Sequence, residues 1–264
     1  VDAARTGFAG ANPKNQDGEG ERRMNPFDRT ILDAAAQVSG AWPGFDLFVV
    51  FLTSNDLFKG FLVMGAIWWL WFRDTLRPAS TAPDPAVREQ VMATLLAGLV
   101  ALVLARGLAE TLPFRMRPLA LPEYANEFTL SRERLVGLEE WSSFPSDHAT
   151  LFSALAAGAW FACRRLGTIL LVYTFIVILA PRVYLGMHYP TDVLAGALIG
   201  VGIAWAAHLL PIRHLVSRPF LLWQVRSPGT FYASAFLLTS QIAVLFDPVR
   251  RAARFAAELT SSSL

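Results

Sequence analysis

The sequence has a single cysteine, Cys163, in 264 residues. That excludes an intrachain disulfide and a cysteine-built metal cluster. Cys163 lies inside an apolar run and reads as a small buried hydrophobe. Charge is also scarce: Asp, Glu, Lys and Arg make up 17% of the chain. The formal net charge of +2 is too small to argue for a nucleic-acid partner. The first methionine is Met24, and residues 1–23 contain no apolar stretch of the kind a signal peptide needs. Rich in Gly, Asn, Asp, Glu and Arg, they read as a disordered leader outside the fold. No internal repeat is visible.

What is abundant is apolar side chain. Hydrophobic residues make up 54% of the sequence, with 19 Phe and 8 Trp, and the mean hydropathy is +0.40. Such a composition belongs to an integral membrane protein rather than a soluble domain. The expected fold class is all-α: a polytopic membrane bundle of about six transmembrane helices with an N-terminal amphipathic segment. Residues 27–41 mix Asp28, Arg29 and Asp33 with Ile31, Leu32 and Val38, a pattern suited to an interfacial amphipathic helix. Residues 43–55 are apolar but short and run into Asn55, Asp56 and Lys59, as in a membrane-surface or re-entrant piece. The expected spans are about 57–72, 87–112, 146–162, 167–180, 191–210 and 230–246. Trp68, Trp69 and Trp71 followed by Arg73 suggest a membrane interface at the end of the first. Pro78, Pro83 and Pro85 suggest a loop after it, and a second loop holds Arg218, Arg226, Pro228 and Gly229. Six spans put the polar 113–145 stretch and the 181–190 loop on one side. Arg73, Arg77, Arg88, Arg164, Arg165, Arg213, Arg218 and Arg226 fall on the other, which the positive-inside rule makes cytoplasmic.

Three clusters therefore share the outward face. They are Arg115-Met116-Arg117-Pro118, Phe144-Pro145-Ser146-Asp147-His148, and the run from Arg182 to Asp192. Two of the four histidines, His148 and His188, lie in them; His208 and His214 read as ordinary interface residues. Arg117 and Arg182 are planar forks suited to phosphate oxygens. Ser146 stands at a helix N-cap position, where free backbone N–H groups favour an anion. His188 is a candidate nucleophile toward phosphorus, with Asp192 accepting from one ring nitrogen and leaving the other to attack. Pro190 suits the first turn of the next span. His148 is then the candidate acid for the leaving oxygen and base for water.

On these residues the chain resembles the type 2 phosphatidic-acid-phosphatase superfamily, which shares its site with vanadium haloperoxidases. That family carries Lys-x6-Arg-Pro, Pro-Ser-Gly-His and Ser-Arg-x5-His-x3-Asp. Here the blocks read Arg117-Pro118, Pro145-Ser146-Asp147-His148, and Pro181-Arg182 with His188 and Asp192 at the family spacing. The resemblance implies that residues 24–264 form one membrane-embedded lipid phosphatase domain, with His188 as the phosphohistidine nucleophile, Asp192 as its partner and His148 as acid–base. It implies phosphate binding by Arg117, Arg182 and Ser146, with the backbone of Asp147 and the Arg115 side chain as further candidates. It implies no metal and no other cofactor. Three positions depart from the pattern: Glu110 for the lysine, Asp147 for the glycine and Pro181 for the serine. Arg115 or Arg106 could supply the missing cation, with Arg115 preferred. The stretch from Phe45 to Asp74 and the blocks also resemble short bacterial undecaprenyl-diphosphatases. The expected partners are thus the bilayer and a lipid substrate, an isoprenyl diphosphate first and phosphatidic acid or phosphatidylglycerol phosphate second. The expected location is the bacterial inner membrane, with the site facing the exterior. A non-catalytic lipid binder or transporter, and a haloperoxidase, are the competing classes. Oligomeric state is not legible.

Overall fold

The computed structural model describes residues 24–73, 85–124, 127–128 and 141–261. The expected leader, the loop with Pro78 and Pro83, and residues 125–126 and 129–140 of the polar stretch lie outside these. Every regular element among the described residues is helical. In chain order they are α1 (Pro26–Val38), α2 (Pro43–Ser54), a π-helical turn (Leu57–Phe61) leading into α3 (Leu62–Phe72), and α4 (Pro85–Thr111). Then come α5 (Asp147–Ala162), α6 (Arg164–Tyr173), a second π-helical segment (Thr174–Leu179), α7 (Ala180–Tyr184) and α8 (Pro190–His208). The chain closes with α9 (Leu210–Arg226), α10 (Pro228–Ala243) and α11 (Asp247–Ser261).

Among the described residues, three stretches are long and apolar enough to cross a membrane alone: Ala86–Thr111, Arg164–Tyr184 and Pro190–His208. Two bent pairs raise the number to five if each is one span. These are Pro43–Ser54 with Leu57–Phe72, bent by 64°, and Pro228–Ala243 with Asp247–Ala253, bent by 86°. The expected count of six differs because α5 has only 16 residues, about 24 Å of helix against a hydrocarbon core of about 30 Å. Residues Ala149 to Ala159 of α5 are all buried, so its all-round apolar surface faces other helices and not lipid. The expected loop after residue 210 is instead the helix α9. Pro211 falls in its first turn, where the missing N–H costs nothing. Pro219 interrupts one interior bond, and the helix is held against α4, with the Ser217 hydroxyl donating to the Glu89 carbonyl at 2.9 Å.

At the N-terminus, Asn25 caps α1 by accepting from the Asp28 N–H at 2.8 Å, and Pro26 opens the first turn. The buried side of α1 is Asp28, Leu32 and Ala36, one residue per turn, and it docks on α7 and α8. The tryptophan cluster also turns inward: Trp68 donates to Thr239 and Trp71 to Tyr232 on α10, and only Trp69 of the three is exposed.

Glycine lets the central helices approach backbone to backbone. A Cβ on Gly200 of α8 would lie 2.1 Å from the Thr150 carbonyl oxygen of α5, and one on Gly196 would lie 2.7 Å from the Ser146 oxygen. On the other side of α5, Gly158 admits Thr94, while Gly98 of α4 admits Leu155. Small residues four apart bring helices this close where apolar surroundings give little other drive to associate. The N-termini of α5 and α8 are thereby set side by side, with the Ser146 N–H donating to the Asp192 carbonyl at 3.3 Å. Gly200→Ala should therefore cost about 3 kcal/mol or more, read as a large fall in unfolding temperature in detergent. Gly202→Ala, which meets nothing within 4 Å, should leave that temperature unchanged or raise it; equal effects would refute the close-approach argument.

Candidate active site

The N-terminus of α5, the α7–α8 turn, the exit of α4, the π-helical turn before α3 and the α10–α11 bend surround one cavity of about 520 Å³. Its lining includes Arg117, His148, Arg182 and His188 from the three sequence clusters, and Asp147 beside them. His208 and His214 lie elsewhere: His208 stacks on Phe161, and His214 pairs with Glu89 at 3.0 Å.

His188 is placed by a tight turn. Its N–H and that of Met187 both donate to the Arg182 carbonyl, and Gly186 takes a left-handed conformation at φ 65° that L side chains rarely adopt. The imidazole is buried. Its Nδ1 lies 2.8 Å from the Ser143 carbonyl oxygen. A carbonyl can only accept, so Nδ1 carries the hydrogen. Its Nε2 lies 3.0 Å from Arg117 Nη1. A guanidinium can only donate, so Nε2 presents a lone pair. Both neighbours thus specify the neutral Nδ1–H tautomer. Burial, and after it the charge of Arg117, hold the His188 pKa below its ordinary value.

Asp192 was expected to accept directly from the ring. Its Oδ2 is 3.8 Å from Nδ1, beyond a hydrogen bond, and the Ser143 carbonyl takes that place. The carboxylate is fully buried. Oδ2 accepts from the Ser143 hydroxyl at 2.5 Å and from the Tyr189 N–H at 3.0 Å, and Oδ1 accepts from Arg115. Asp192 therefore holds Ser143, and Ser143 holds His188.

Arg115 is not among the residues lining the cavity. Its two nitrogens reach Asp192, Thr191 and Asp28, and its guanidinium stacks on Tyr189 with 3.7 Å to the ring centroid. Asp28, fully buried on α1, also accepts from the Thr191 N–H and hydroxyl at 2.9 and 2.7 Å. Arg115 is thus occupied by two buried carboxylates. Glu110, in the position of the missing lysine, is exposed on α4. The cavity instead takes Arg106, one turn earlier, and Lys59 from the π-helical turn. Lys59 Nζ pairs with Asp56 at 2.9 Å. Arg106 donates to the Leu245 carbonyl at 2.6 Å, at a bend where Leu245 and Phe246 hold left-handed backbone.

The remaining expected binders differ in exposure. Arg182 is buried, and its Nε has no hydrogen-bond partner among the described residues. Burial also depresses the pKa of Arg117, against the pull of Asp147 and Asp192. Ser146 is the N-cap of α5, with its hydroxyl accepting from the Ala149 N–H at 3.4 Å. It is fully buried and does not line the cavity. The Asp147 carboxylate does line it and accepts from both the N–H and Nδ1 of His148, each at 2.8 Å.

Sequence reasoning missed Ser143, Asp28 and the site role open to Lys59. A signal existed for Lys59: it is one of two lysines in the chain and lies within an apolar stretch, where an ionisable residue points to function. Ser143 acts through its backbone carbonyl, which no side-chain pattern announces.

Among known proteins, the chain is 39% identical over 85 residues to the bacitracin transport permease protein BcrC of Bacillus licheniformis, covering 31% of this chain and 41% of that one. It is 46% identical over 61 residues to YbjG of Escherichia coli (strain K12), provisionally named an undecaprenyl-diphosphatase, covering 22% and 30%. The chain thus spans less than half the length of these curated relatives. The crystal structure of LpxE from Aquifex aeolicus superposes with a TM-score of 0.44 at 22% identity, over 67% of this chain and 93% of that one. Residues 86–214 match the family model of the PAP2 superfamily. That segment, a little under half of the chain, carries Arg117, His148, Arg182, His188 and Asp192, and in it the chain is similar to the PAP2 superfamily.

Proposed function

We propose that this membrane protein is a lipid phosphatase that hydrolyses an isoprenyl diphosphate, undecaprenyl diphosphate first among them, through a phosphohistidine on His188. The observation that carries the reading is the Nε2 lone pair of a neutral, buried His188 held in a cavity lined by Arg117, Arg182, Arg106 and Lys59. Nε2 attacks the terminal phosphorus while the bond from phosphorus to the bridging oxygen breaks. His148 gives that oxygen a proton, and the lipid monophosphate departs. Water then attacks the phosphohistidine, His148 takes its proton, and inorganic phosphate leaves with His188 restored. Arg117 must exchange Nε2 for a phosphate oxygen as substrate binds, so one guanidinium guards the nucleophile and then neutralises the developing charge.

The substrate choice rests on the name of the Escherichia coli relative and on the number of cations in the cavity, which suits two phosphates better than one. Phosphatidic acid and phosphatidylglycerol phosphate are the runner-up substrates. The positive charge is supplied by side chains, and the reaction needs no metal. The name of the other relative speaks of transport, and Glu110 in place of lysine would fit a binder. A binder, however, has no need for a nitrogen lone pair fixed by two neighbours. The purified protein in detergent with excess EDTA should release phosphate from an isoprenyl diphosphate. His188→Ala should lower the rate by at least about a thousandfold. Binding without release in the unmutated protein would favour the transport reading.

Within the same proposal, Lys59 is the cation that serves in place of the missing lysine, and Arg115 is structural. Lys59→Met should lower kcat/KM by roughly ten- to a hundredfold, about 1.4–2.7 kcal/mol, with little change in unfolding temperature. Arg115→Ala leaves two buried carboxylates uncompensated and should destabilise by about 3–5 kcal/mol. Normal kinetics in Lys59→Met, or an intact unfolding temperature in Arg115→Ala, would refute the assignment.

We further propose that the cavity opens away from the cytoplasm, in a bacterial inner membrane. The arginines at the opposite ends of the spans support this side. Cys163 caps the end of α5 remote from Ser146, and Arg165 beside it is exposed. In a Cys163→Ala background, Arg165→Cys should react with an impermeant maleimide in inverted vesicles and stay unlabelled in intact spheroplasts. The reverse pattern would invert the topology.

A further inference from the structure

Two imidazoles line one cavity, and the two are held differently. His188 Nδ1 donates to a backbone carbonyl, which is neutral. His148 Nδ1 lies 2.8 Å from Asp147 Oδ1, which also accepts the His148 backbone N–H at 2.8 Å. A carboxylate accepts only, so this nitrogen too carries the hydrogen and Nε2 is left for the cavity. We propose that Asp147 is a positioning residue for the reaction: it holds His148 in the Nδ1–H form and sustains the imidazolium that gives a proton to the leaving oxygen. The proposal rests on the phosphatase reading above and adds a residue to it.

The surroundings make such a partner necessary. The charged groups bearing on His148 are Arg182 from α7 and Lys59 from the π-helical turn, with Asp147 on its own helix. Arg106 from α4 stands 4.0 Å from the other oxygen of Asp147, and Arg117 and His188 share the cavity. Burial, and after it the charges of Arg182 and Lys59, oppose a positive charge on His148. The carboxylate is the one group in contact that favours it. The same geometry keeps the negative charge of Asp147 from repelling substrate, since its oxygens are turned to His148 and Arg106. The two histidines are therefore set apart by their acceptors, a carbonyl for the nucleophile and a carboxylate for the acid.

Asp147→Asn keeps an oxygen acceptor for Nδ1–H and removes the charge. Two measurements on the full chain in detergent test the proposal. In the first, imidazole nitrogen NMR, with signals assigned by loss in His148→Gln, should find the Nδ1–H tautomer at His148. Its titration midpoint should fall by about one unit in Asp147→Asn. An Nε2–H tautomer or an unmoved midpoint would overturn the proposal whether or not the protein is a phosphatase. The second is kcat/KM, which reports the steps through cleavage of the P–O bond, on dodecyl phosphate and p-nitrophenyl phosphate. A poor leaving group needs the acid and a good one needs it far less. Asp147→Asn should therefore lower the dodecyl value by roughly a hundredfold and at least about tenfold more than the nitrophenyl value. Asp147→Glu should recover part of the loss. Equal losses on both substrates would make Asp147 a structural cap. Gains on both would make it a repulsive charge. Either result overturns the proposal. No turnover of either substrate by the unmutated chain, with the NMR result as expected, would instead refute the phosphatase reading and with it the catalytic role of Asp147.

Discussion

The site depends on burying the carboxylate of Asp192. An isolated carboxylate taken out of water loses several kcal/mol of solvation, and that loss is tolerated only when every lone pair finds a donor. The donors come from three places: Arg115 at the exit of α4, the Ser143 hydroxyl in the segment before α5, and the Tyr189 N–H at the start of α8. Satisfying one side chain therefore fixes three segments relative to one another. The next atom along is the Ser143 carbonyl, which fixes His188. Arg115 carries the same constraint outward to a second buried carboxylate, Asp28, and so to α1. An N-terminal helix that looks like a membrane-surface appendage is, on this account, part of the support for His188.

Much of this architecture is legible in the sequence, and the exceptions have physical causes. Apolar run length identifies α4, the α6–α7 stretch and α8, because a lipid-facing helix must be long and uniformly apolar. It misjudges α5, whose residues are equally apolar but face protein, and it passes over α9, where two prolines and several arginines resemble a loop. The pair Gly196 and Gly200, four residues apart, was present as a signal for the α5–α8 contact, since a backbone approach of this kind leaves glycine as the residue that fits. At the site, spacing alone brings His148, His188, Arg117 and Arg182 together. Spacing does not distinguish Arg115 from Arg117. Arg115 turns to Asp192 and Asp28, and of the two only Arg117 reaches the cavity. It also cannot place Lys59, which arrives from an element some fifty residues before the blocks, by way of a π-helical turn whose geometry is set by packing. Gly60 beside it abuts the Ala243 carbonyl, and the Tyr173 hydroxyl donates to the Phe58 carbonyl. Insertions of this kind recur where a helix must aim a residue that regular geometry would misdirect.

Two of the three departures from the family pattern, Asp147 and Glu110, then cease to be independent. Asp147 adds a negative charge to a cavity that the proposed reading assigns to an anion, and Glu110 withdraws a positive one from the end of α4. A cavity altered in both respects would repel phosphate unless other cations entered it. Two are in place. Lys59 comes from the bend before α3, and Arg106 stands one turn back on α4, anchored by the Leu245 carbonyl. The added carboxylate is at the same time the group that His148 needs if it is to hold a proton amid those cations. One change therefore requires the other. On the proposed phosphatase reading, a carboxylate at position 147 makes additional cations necessary for the substrate, and the additional cations make a carboxylate necessary for the acid.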